Sequence, residues 1–373
     1  MFYKKSFCVI LILCFFLFKA HSQADRVKVI AYYFGNPETL DSFDVKKMDE
    51  IIFSFGRLKG DQFHIRSARD TATIQKMIAL KSVNPSLKVV LSLGGWGGCE
   101  TCSDVFASRK NSKEFAKGFK ELTEYFKSDG IDLDWEYPAV SGFPGHKYTP
   151  EDRQHFTRLV KLLRRSLGKN AEVSFAAGVS KRVMESGMEW KKVMKIADRV
   201  NLMTYDLAGQ GTPNTAHHTL LYSTPQQSIS TDYAVQYLLN LGIPSNKIVI
   251  GAAFYGKIWE NVQDTSNGLY QPAKFKSTIH YKRLVNEMTP ANGFNYYWDD
   301  VAKAPYLYNP TQTLFVTFDD KRSVQAKTQY VIDKKLSGIM FWQLTEDTYK
   351  DGLLDAIDAA RKGVKVTQND RGF

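Results

Sequence analysis

The chain has 373 residues, with 50 Lys and Arg against 39 Asp and Glu and a formal net charge of +11. This length is sufficient for one large α/β domain with a substantial apolar core. A basic chain can attract nucleic acid or anionic cell-envelope polymers, but no stretch interleaves clustered Lys and Arg with aromatic residues, so we expect no nucleic-acid partner.

The N-terminal segment has the pattern of a secretory signal peptide. Lys4 and Lys5 precede an apolar run over residues 7–18, and small residues for cleavage lie within residues 20–22. The run is shorter than the roughly 18 to 20 apolar residues that a membrane-spanning helix needs. We therefore expect a signal peptide over residues 1–22, secretion to the extracellular space or the periplasm, and no membrane attachment after its removal.

Two of the four cysteines, Cys8 and Cys14, lie in this leader, so the mature chain keeps Cys99 and Cys102. The fold therefore cannot depend on a disulfide framework. Two thiols alone do not fill a tetrahedral zinc site, and we expect neither a metal nor a cofactor. The pair lies in a Gly-rich loop, where either a small loop-closing disulfide or two free thiols fits the sequence.

Eight apolar segments rich in β-branched residues follow one another along the rest of the chain. These candidate strands are Val27–Tyr33, Glu50–Phe55, Lys88–Leu93, Gly130–Glu136, Glu172–Ala177, Val200–Tyr205, Ile248–Tyr255 and Ser337–Trp342. Amphipathic segments lie between them, for example Ser112–Ser128, Pro150–Leu167, Pro225–Leu241 and Ser323–Lys335. The alternation predicts a parallel sheet covered by helices, and eight repeats indicate an α/β fold of the closed (β/α)8 TIM barrel type within residues 23–373.

The fourth candidate strand carries acidic residues at every second position, namely Asp132, Asp134 and Glu136. A β-strand turns this spacing into one acidic face, with Ile131 and Leu133 on the opposite side. Burying several carboxylates in a barrel is costly. The stripe therefore indicates a chemical role.

Polar and aromatic residues follow the ends of the candidate strands, where catalytic groups of such barrels gather. The candidates are Tyr32, Phe55, Gly95, Trp96, Tyr137, Met203, Tyr205, Asp206, Tyr255 and Trp342. A single aromatic residue at a barrel rim often only caps the core. Several at the same rim favour a sugar-binding groove, because pyranose faces stack on aromatic rings.

One interval interrupts the repeat, because about 80 residues separate Tyr255 from the last strand and one repeat averages roughly 30. The turn pair Asn292-Gly293 and the apolar stretch Leu314–Phe318 favour short antiparallel strands. We predict a small α+β insertion subdomain, approximately over residues 258–320, between barrel strands 7 and 8.

The segment Asp129–Pro138 resembles the D-G-x-D-x-D-W-E-Y-P signature of glycoside hydrolase family 18 chitinases. Further matching motifs, in family order, are Ser92–Trp96, Met203–Asp206, Tyr255-Gly256, Trp298-Asp299, Phe318–Asp320 and Gly338–Trp342. The resemblance covers nearly the whole mature chain. It implies the same barrel and a secreted hydrolase of β-1,4-linked N-acetylglucosamine polymers, with chitin or chito-oligosaccharides as the partner, and we expect a monomer.

The resemblance also implies a retaining mechanism in which the substrate's N-acetyl group supplies the nucleophile. Glu136 would then be the proton donor, and Asp134 would accept the acetamide N–H. We expect Asp132 to share a proton with Asp134, because two like charges in a barrel interior resist simultaneous ionisation. Tyr205 would donate its hydroxyl to the acetyl carbonyl.

The remaining roles concern sugar binding. By resemblance, Asp206 binds sugar hydroxyls or tunes Glu136, Trp342 is the floor under the sugar next to the cleaved bond, and Trp96 is a platform on the leaving-group side. Tyr32, Phe55, Tyr137 and Tyr255 are groove or core residues. Lys257 stands where the family usually has Arg, so the paired hydrogen bonds of a guanidinium are lost there.

Other functions compete with this interpretation. A D-x-D-x-E pattern can bind calcium, but the apolar residues between the acids argue against a calcium loop. The pair His217-His218 suggests zinc, but adjacent histidines on one loop seldom face the same ion. A chitin-binding lectin and a hydrolase of the N-glycan core or peptidoglycan remain open, as do endo and exo cleavage.

Overall fold

The computed structural model describes residues 27–364, so the expected signal peptide lies outside the described residues. The strands of this part are β1 (Lys28–Tyr33), β2 (Glu50–Lys59), β3 (Gln62–His64), β4 (Lys88–Gly94), β5 (Gly130–Asp134), β6 (Glu172–Gly178), β7 (Arg199–Met203), β8 (Ile248–Ala253), β9 (Tyr255–Glu260), β10 (Lys274–His280), β11 (Asn295–Asp299), β12 (Ala304–Asn309), β13 (Leu314–Thr317) and β14 (Gly338–Trp342). Its α-helices are α1 (Ala68–Ala79), α2 (Cys102–Ala107), α3 (Arg109–Phe126), α4 (Asp152–Leu167), α5 (Trp190–Val193), α6 (Thr231–Asn240), α7 (Tyr281–Glu287), α8 (Lys321–Asp333) and α9 (Leu353–Arg361). None of these helices is both long enough and apolar enough to span a membrane.

Eight parallel strands form the predicted (β/α)8 barrel. Their order is β1-β14-β8-β7-β6-β5-β4-β2, and pairing between β1 and β2 closes the ring. All eight candidate strands of the sequence correspond to barrel strands. The fold prediction is therefore confirmed.

The alternation along β5 decides which side chains face the barrel interior. Ile131 and Leu133 point outward into the main apolar core, which also contains residues of α3 and α4. The Trp135 side chain also points outward and contacts Phe106, with ring centroids 5.7 Å apart. Since these side chains hold one face of the strand against the helices, the acidic face is directed into the barrel.

Helix α3 shows how the outer layer is fixed locally. It begins after Ser108, whose side chain accepts a hydrogen bond from the backbone N–H of Asn111. It ends at Lys127, which adopts the left-handed conformation with φ of 60°. Between these ends Phe115 and Phe119 are buried against the core.

The insertion is a five-stranded antiparallel sheet in the order β10-β9-β13-β12-β11, together with α7. Its own core contains Trp259, Tyr306 and Phe315. The segment lies between β8 and β14, which are barrel strands 7 and 8, as predicted. The candidate strand Ile248–Tyr255 is wrong at its end, because the chain leaves the barrel at Phe254 and Tyr255 begins the insertion sheet.

Candidate active site

The acidic residues of β5 lie at the carboxyl end of the barrel. Asp132, Asp134 and Glu136 are only 0%, 4% and 9% exposed. The strand ends at Asp134 and not at Glu136, because its neighbour β4 ends at Gly94, the residue paired with Asp134. Glu136 therefore lies on the loop directly after the strand.

Asp132 is held by four uncharged donors. Its Oδ2 accepts hydrogen bonds from Tyr32 at 3.0 Å and Ser92 at 2.9 Å. Its Oδ1 accepts from Ser174 at 2.7 Å and Asn201 at 3.2 Å. Burial raises the pKa of Asp132, and the hydrogen bonds from Ser174, Ser92 and Tyr32 oppose the rise.

Asp134 has fewer partners. Its Oδ1 is buried and has no hydrogen-bond partner among residues 27–364. Burial raises the pKa of Asp134 well above its usual value, and charge on Glu136 and on Asp132 raises it further. In this structure, the link that we expected between Asp132 and Asp134 is electrostatic, since the hydrogen bonds of Asp132 go to Tyr32 and other uncharged groups. A buried acceptor without a donor is a place for a ligand N–H.

Glu136 has the protonation behaviour of a general acid. Burial raises the pKa of Glu136 to about 7, a hydrogen bond from Tyr137 opposes the rise, and charge on Asp206 adds to it. Burial is thus the main cause of the raised pKa of Glu136. A carboxyl group with this pKa holds a proton near neutral pH and can release it.

Asp206 follows β7 and is oriented by two donors. The Tyr255 hydroxyl donates to Asp206 Oδ1 over 2.7 Å, and Lys257 Nζ lies 2.6 Å from the same oxygen. Asp206 has a left-handed backbone with φ of 59°. Lys257 thus contacts Asp206 through one ammonium group, where a guanidinium could make two parallel bonds.

We call Asp132, Asp134 and Glu136 together the acidic ladder. Two tyrosines lie together at the same side of this ladder as Asp206. The ring centroid of Tyr205 is 6.2 Å from that of Tyr255. The Tyr205 hydroxyl has the sulfur of Met340 at 3.8 Å, a weak acceptor. This hydroxyl is therefore available to a better acceptor on a ligand. Met203 lies one pleat before Tyr205 and packs against the interior apolar cluster.

Aromatic rings form the floor of the site. Trp342, at the end of β14, stacks on Phe55 with a centroid distance of 5.4 Å and an interplanar angle of 12°. Gly95 permits this packing, because a Cβ there would lie 2.4 Å from Phe55. Tyr32 is only 2% exposed and bonds to Asp132, which places it beneath the floor as a support of the acid.

Trp96 lies on the loop that follows β4. It is 57% exposed and contacts Phe143 edge-to-face at 5.5 Å. Cys99 and Cys102 form a disulfide that closes the end of this loop, which settles the alternatives left by the sequence. Tyr137 packs near Gly178 at the end of β6, since a Cβ on that glycine would lie 2.7 Å from the tyrosine hydroxyl.

Sequence reasoning missed the polar residues around Asp132, namely Ser92, Ser174 and Asn201. The parallel register pairs Asp132 with Ser92 on β4 and with Ser174 on β6. Aligning the strands by their inward positions would have found both serines. Of the two adjacent histidines, His217 bonds through Nε2 to Asp299 at 3.1 Å.

Comparison with known proteins agrees with this geometry. Residues 28–347 match the family model described as glycosyl hydrolases family 18. Chitinase A1 of Niallia circulans is 34% identical over 301 residues, which are 74% of this chain and 43% of that protein. The chain therefore spans less than half the length of this relative.

Two solved structures are similar over nearly the whole chain. A family 18 N-acetylglucosaminidase from Paenibacillus barengoltzii has a TM-score of 0.82 and 32% identity, and the match covers 90% of this chain and 99% of that one. A variant of catalytic domain 2 of the Ostrinia furnacalis Group II chitinase, in complex with (NAG)5, has a TM-score of 0.83 and 25% identity, with 92% and 98% covered. Together with the matched family model, these similarities show that the chain belongs to glycosyl hydrolases family 18.

Proposed function

We propose that the protein is a secreted chitinase that cleaves β-1,4-linked N-acetylglucosamine polymers by a retaining, substrate-assisted mechanism. The observation that carries the proposal is the buried acidic ladder. It places Glu136, with a pKa of about 7, next to Asp134, whose Oδ1 lacks a hydrogen-bond donor in the described part of the chain. One group can give a proton, and the other can accept a hydrogen bond from an amide.

In the first step, Glu136 donates its proton to the glycosidic oxygen as the bond to the anomeric carbon breaks. The acetamide oxygen of the same sugar attacks that carbon and forms an oxazolinium ion. While the shared proton is on Glu136, Asp134 is a carboxylate, which accepts a hydrogen bond from the acetamide N–H and stabilises the developing positive charge. Tyr205 donates its hydroxyl to the acetamide oxygen and fixes its direction.

In the second step, a water attacks the anomeric carbon and the bond to the acetamide oxygen breaks. Glu136, now a carboxylate, accepts the water's proton and returns to its starting form. Both attacks invert the same carbon, so the configuration is retained overall. NMR of freshly released product would contradict this mechanism by showing the inverted anomer.

The aromatic floor supports a sugar polymer as the ligand. Trp342 on Phe55 offers a flat face for the sugar next to the cleaved bond, and the exposed Trp96 offers a second face. Asp206 and Lys257 supply charged groups for sugar hydroxyls. The similar Ostrinia domain binds a chito-oligomer, which favours the same class of ligand here.

Cleavage from chain ends is a second candidate, because the similar Paenibacillus enzyme is an N-acetylglucosaminidase. The two modes give different products from a chito-hexaose. Release of monosaccharide alone at early times would indicate exo action, whereas early formation of trimers would indicate internal cleavage. Mass spectrometry of a time course distinguishes them, and absence of any product would defeat the proposed function.

Secretion follows from the expected leader over residues 1–22. Expression of the full chain in a secreting host, with mass analysis of the exported protein, tests it. A mature N-terminus near residue 23 supports export with cleavage, and an intact Met1 in the cell fraction contradicts it.

A further inference from the structure

A buried ionic cluster lies in the barrel interior on the side opposite the active site. Arg199, the first residue of β7, is 1% exposed. Its guanidinium bonds to Glu50 of β2 and, at 2.5 Å, to Glu172 of β6. Lys88 of β4 contacts the second glutamate at 2.6 Å. Since apolar side chains usually fill TIM barrel interiors, a charged group at this position requires an explanation.

Hydrogen bonds connect this cluster to the acidic ladder. Arg199 Nε donates to Asn201 Oδ1 at 3.1 Å, and Asn201 Nδ2 donates to Asp132 Oδ1 at 3.2 Å. A second route passes through Ser174, which lies 3.4 Å from Arg199 Nη2 and donates to Asp132 at 2.7 Å. A cation thus lies one side chain away from Asp132 along two routes.

We infer that Arg199 is a positioning residue for the reaction, which holds Asp132 as a carboxylate through Asn201 and Ser174 and so keeps the mobile proton of the ladder on Asp134 and Glu136. This inference rests on the proposed function and extends it to the opposite end of the barrel. Arg199 touches no part of the substrate in this scheme. It acts only through the charge of Asp132.

The electrostatics of the interior agree with this role. Burial raises the pKa of Asp132, and the charge of Arg199 is among the influences that lower it. An ionised Asp132 in turn raises the pKa of Asp134. The ionisable groups that face Asp132 are Tyr32, Asp134 and Tyr205. Those that face Arg199 are Glu50, Glu172, Lys28 and Lys88.

The inference predicts opposite shifts from two changes in the cluster. Glu50→Gln/Arg199→Gln removes the cation together with one counter-ion, so the acid limb of kcat/KM should move to higher pH by about one unit. Glu172→Gln preserves the shape of the side chain and leaves the ion pair between Glu50 and Arg199 in place. It removes a negative charge that offsets the Arg199 guanidinium, so Asp132 experiences more of the positive charge of Arg199. The acid limb of kcat/KM in the Glu172→Gln variant should move to lower pH.

A matched control separates this effect from loss of stability. Lys327 and Asp319 form another fully buried ion pair, and the Lys327 ammonium bonds only to Asp319 and Thr219 in the hydrogen bonds found within residues 27–364. Lys327→Met should lower the melting temperature and leave both limbs in place. The inference is supported if the acid limb of kcat/KM shifts in opposite directions in the two test variants and does not shift in Lys327→Met. It is overturned if the acid limb lies at the same pH in the wild type and in both test variants.

Two further measurements distinguish the outcomes if the double variant fails to fold or activity is hard to interpret. If the double variant does not fold, the Glu172→Gln limb alone decides, since a downward shift supports the role and an unmoved limb defeats it. The carboxyl ¹³C titration of Asp132 in labelled protein should shift in the same directions without turnover. A wild type that does not cleave chito-oligosaccharides would defeat the proposed function, whereas an active wild type with unmoved titrations defeats only the role of Arg199.

Discussion

The hydroxyl of Tyr255 donates a hydrogen bond to Asp206 Oδ1 over 2.7 Å, and this contact joins the insertion sheet to the loop after β7. Lys257, two residues further along the same insertion strand, contacts the same oxygen. The insertion therefore fixes the position of a carboxylate whose charge raises the pKa of Glu136. Its contribution to the site is electrostatic as well as steric.

Removing this charge should change the pH range of activity. Asp206→Asn keeps the shape of the side chain but lowers the pKa of Glu136, because one of the influences that raise it is lost. The alkaline limb of kcat/KM, which reports loss of the Glu136 proton, should move to lower pH. Lys257→Met should move it to higher pH, since Asp206 then loses its counter-ion. Shifts in the same direction for both variants would contradict the electrostatic role.

Glu136→Gln should abolish most hydrolysis while oligomer binding persists. The amide preserves the shape of the side chain but has no acidic proton, and loss of a general acid typically costs a factor of roughly 10² to 10⁴ in rate. Initial rates on chito-oligosaccharides and calorimetric binding measure the two effects separately.

The matched control is Glu346→Gln, the same change at another buried glutamate whose pKa is raised to about 7 by burial. Glu346 follows β14 and contacts Gln343 at 3.4 Å. The hydrolysis rate of the Glu346→Gln variant should stay within a few-fold of the wild-type rate. Near-normal turnover by Glu136→Gln would remove this residue from the role of proton donor.

The barrel and the acidic ladder could be predicted from the sequence because both follow from period-two alternation. Ile131 and Leu133 determine the outward face of β5, so the inward direction of Asp132 and Asp134 needs no further information. The insertion was recognisable because it lengthens one repeat. These features depend on local pattern and spacing.

The surroundings of Asp132 could not be predicted in this way. Ser92 and Ser174 become partners of the acid only through the parallel register of three strands. Asn201 reaches it from β7, 69 residues further along the chain, and Arg199 contacts Asn201. Tyr32 was expected as a groove or core residue, and the sequence does not show that its hydroxyl donates to Asp132.

Trp342→Ala should raise KM more than it lowers kcat. The indole stacks on Phe55 and offers its other face to the sugar, so its loss removes contact area that is used in the ground state and in the transition state alike. Aromatic stacking of about 0.5 to 1.5 kcal/mol, together with the lost apolar area, corresponds to a KM increase of roughly 10-fold. Kinetics on soluble oligomers give both constants.

Trp298→Ala provides the comparison for this variant. This indole lies on the insertion sheet and packs against the guanidinium of Arg322, 3.8 Å from the ring centroid. Its removal deletes the same side chain away from the floor of the site, so KM should change little. Equal KM increases in the two variants would mean that Trp342 affects stability or folding rather than sugar binding.

The stability of the protein should fall as the pH rises through neutrality. Burial raises the pKa values of Glu136, Glu346 and Asp347 to about 7. Between the ordinary carboxyl range and pH 7, the folded state therefore binds more protons than the unfolded state, and the free energy of unfolding decreases with pH. Below that range both states are protonated and these groups contribute no slope.

Urea unfolding between about pH 5 and pH 8 measures this slope, to which each group adds at most about 1.4 kcal/mol per pH unit. Glu346→Gln removes one titrating group, so its unfolding free energy should decline less steeply and exceed the wild-type value most at high pH. Glu124→Gln, at an exposed glutamate on α3 paired with Lys120, should leave the slope unchanged. A Glu346→Gln curve parallel to that of the wild type would show that this carboxyl group has the same proton affinity in both states, so that burial does not control its ionisation.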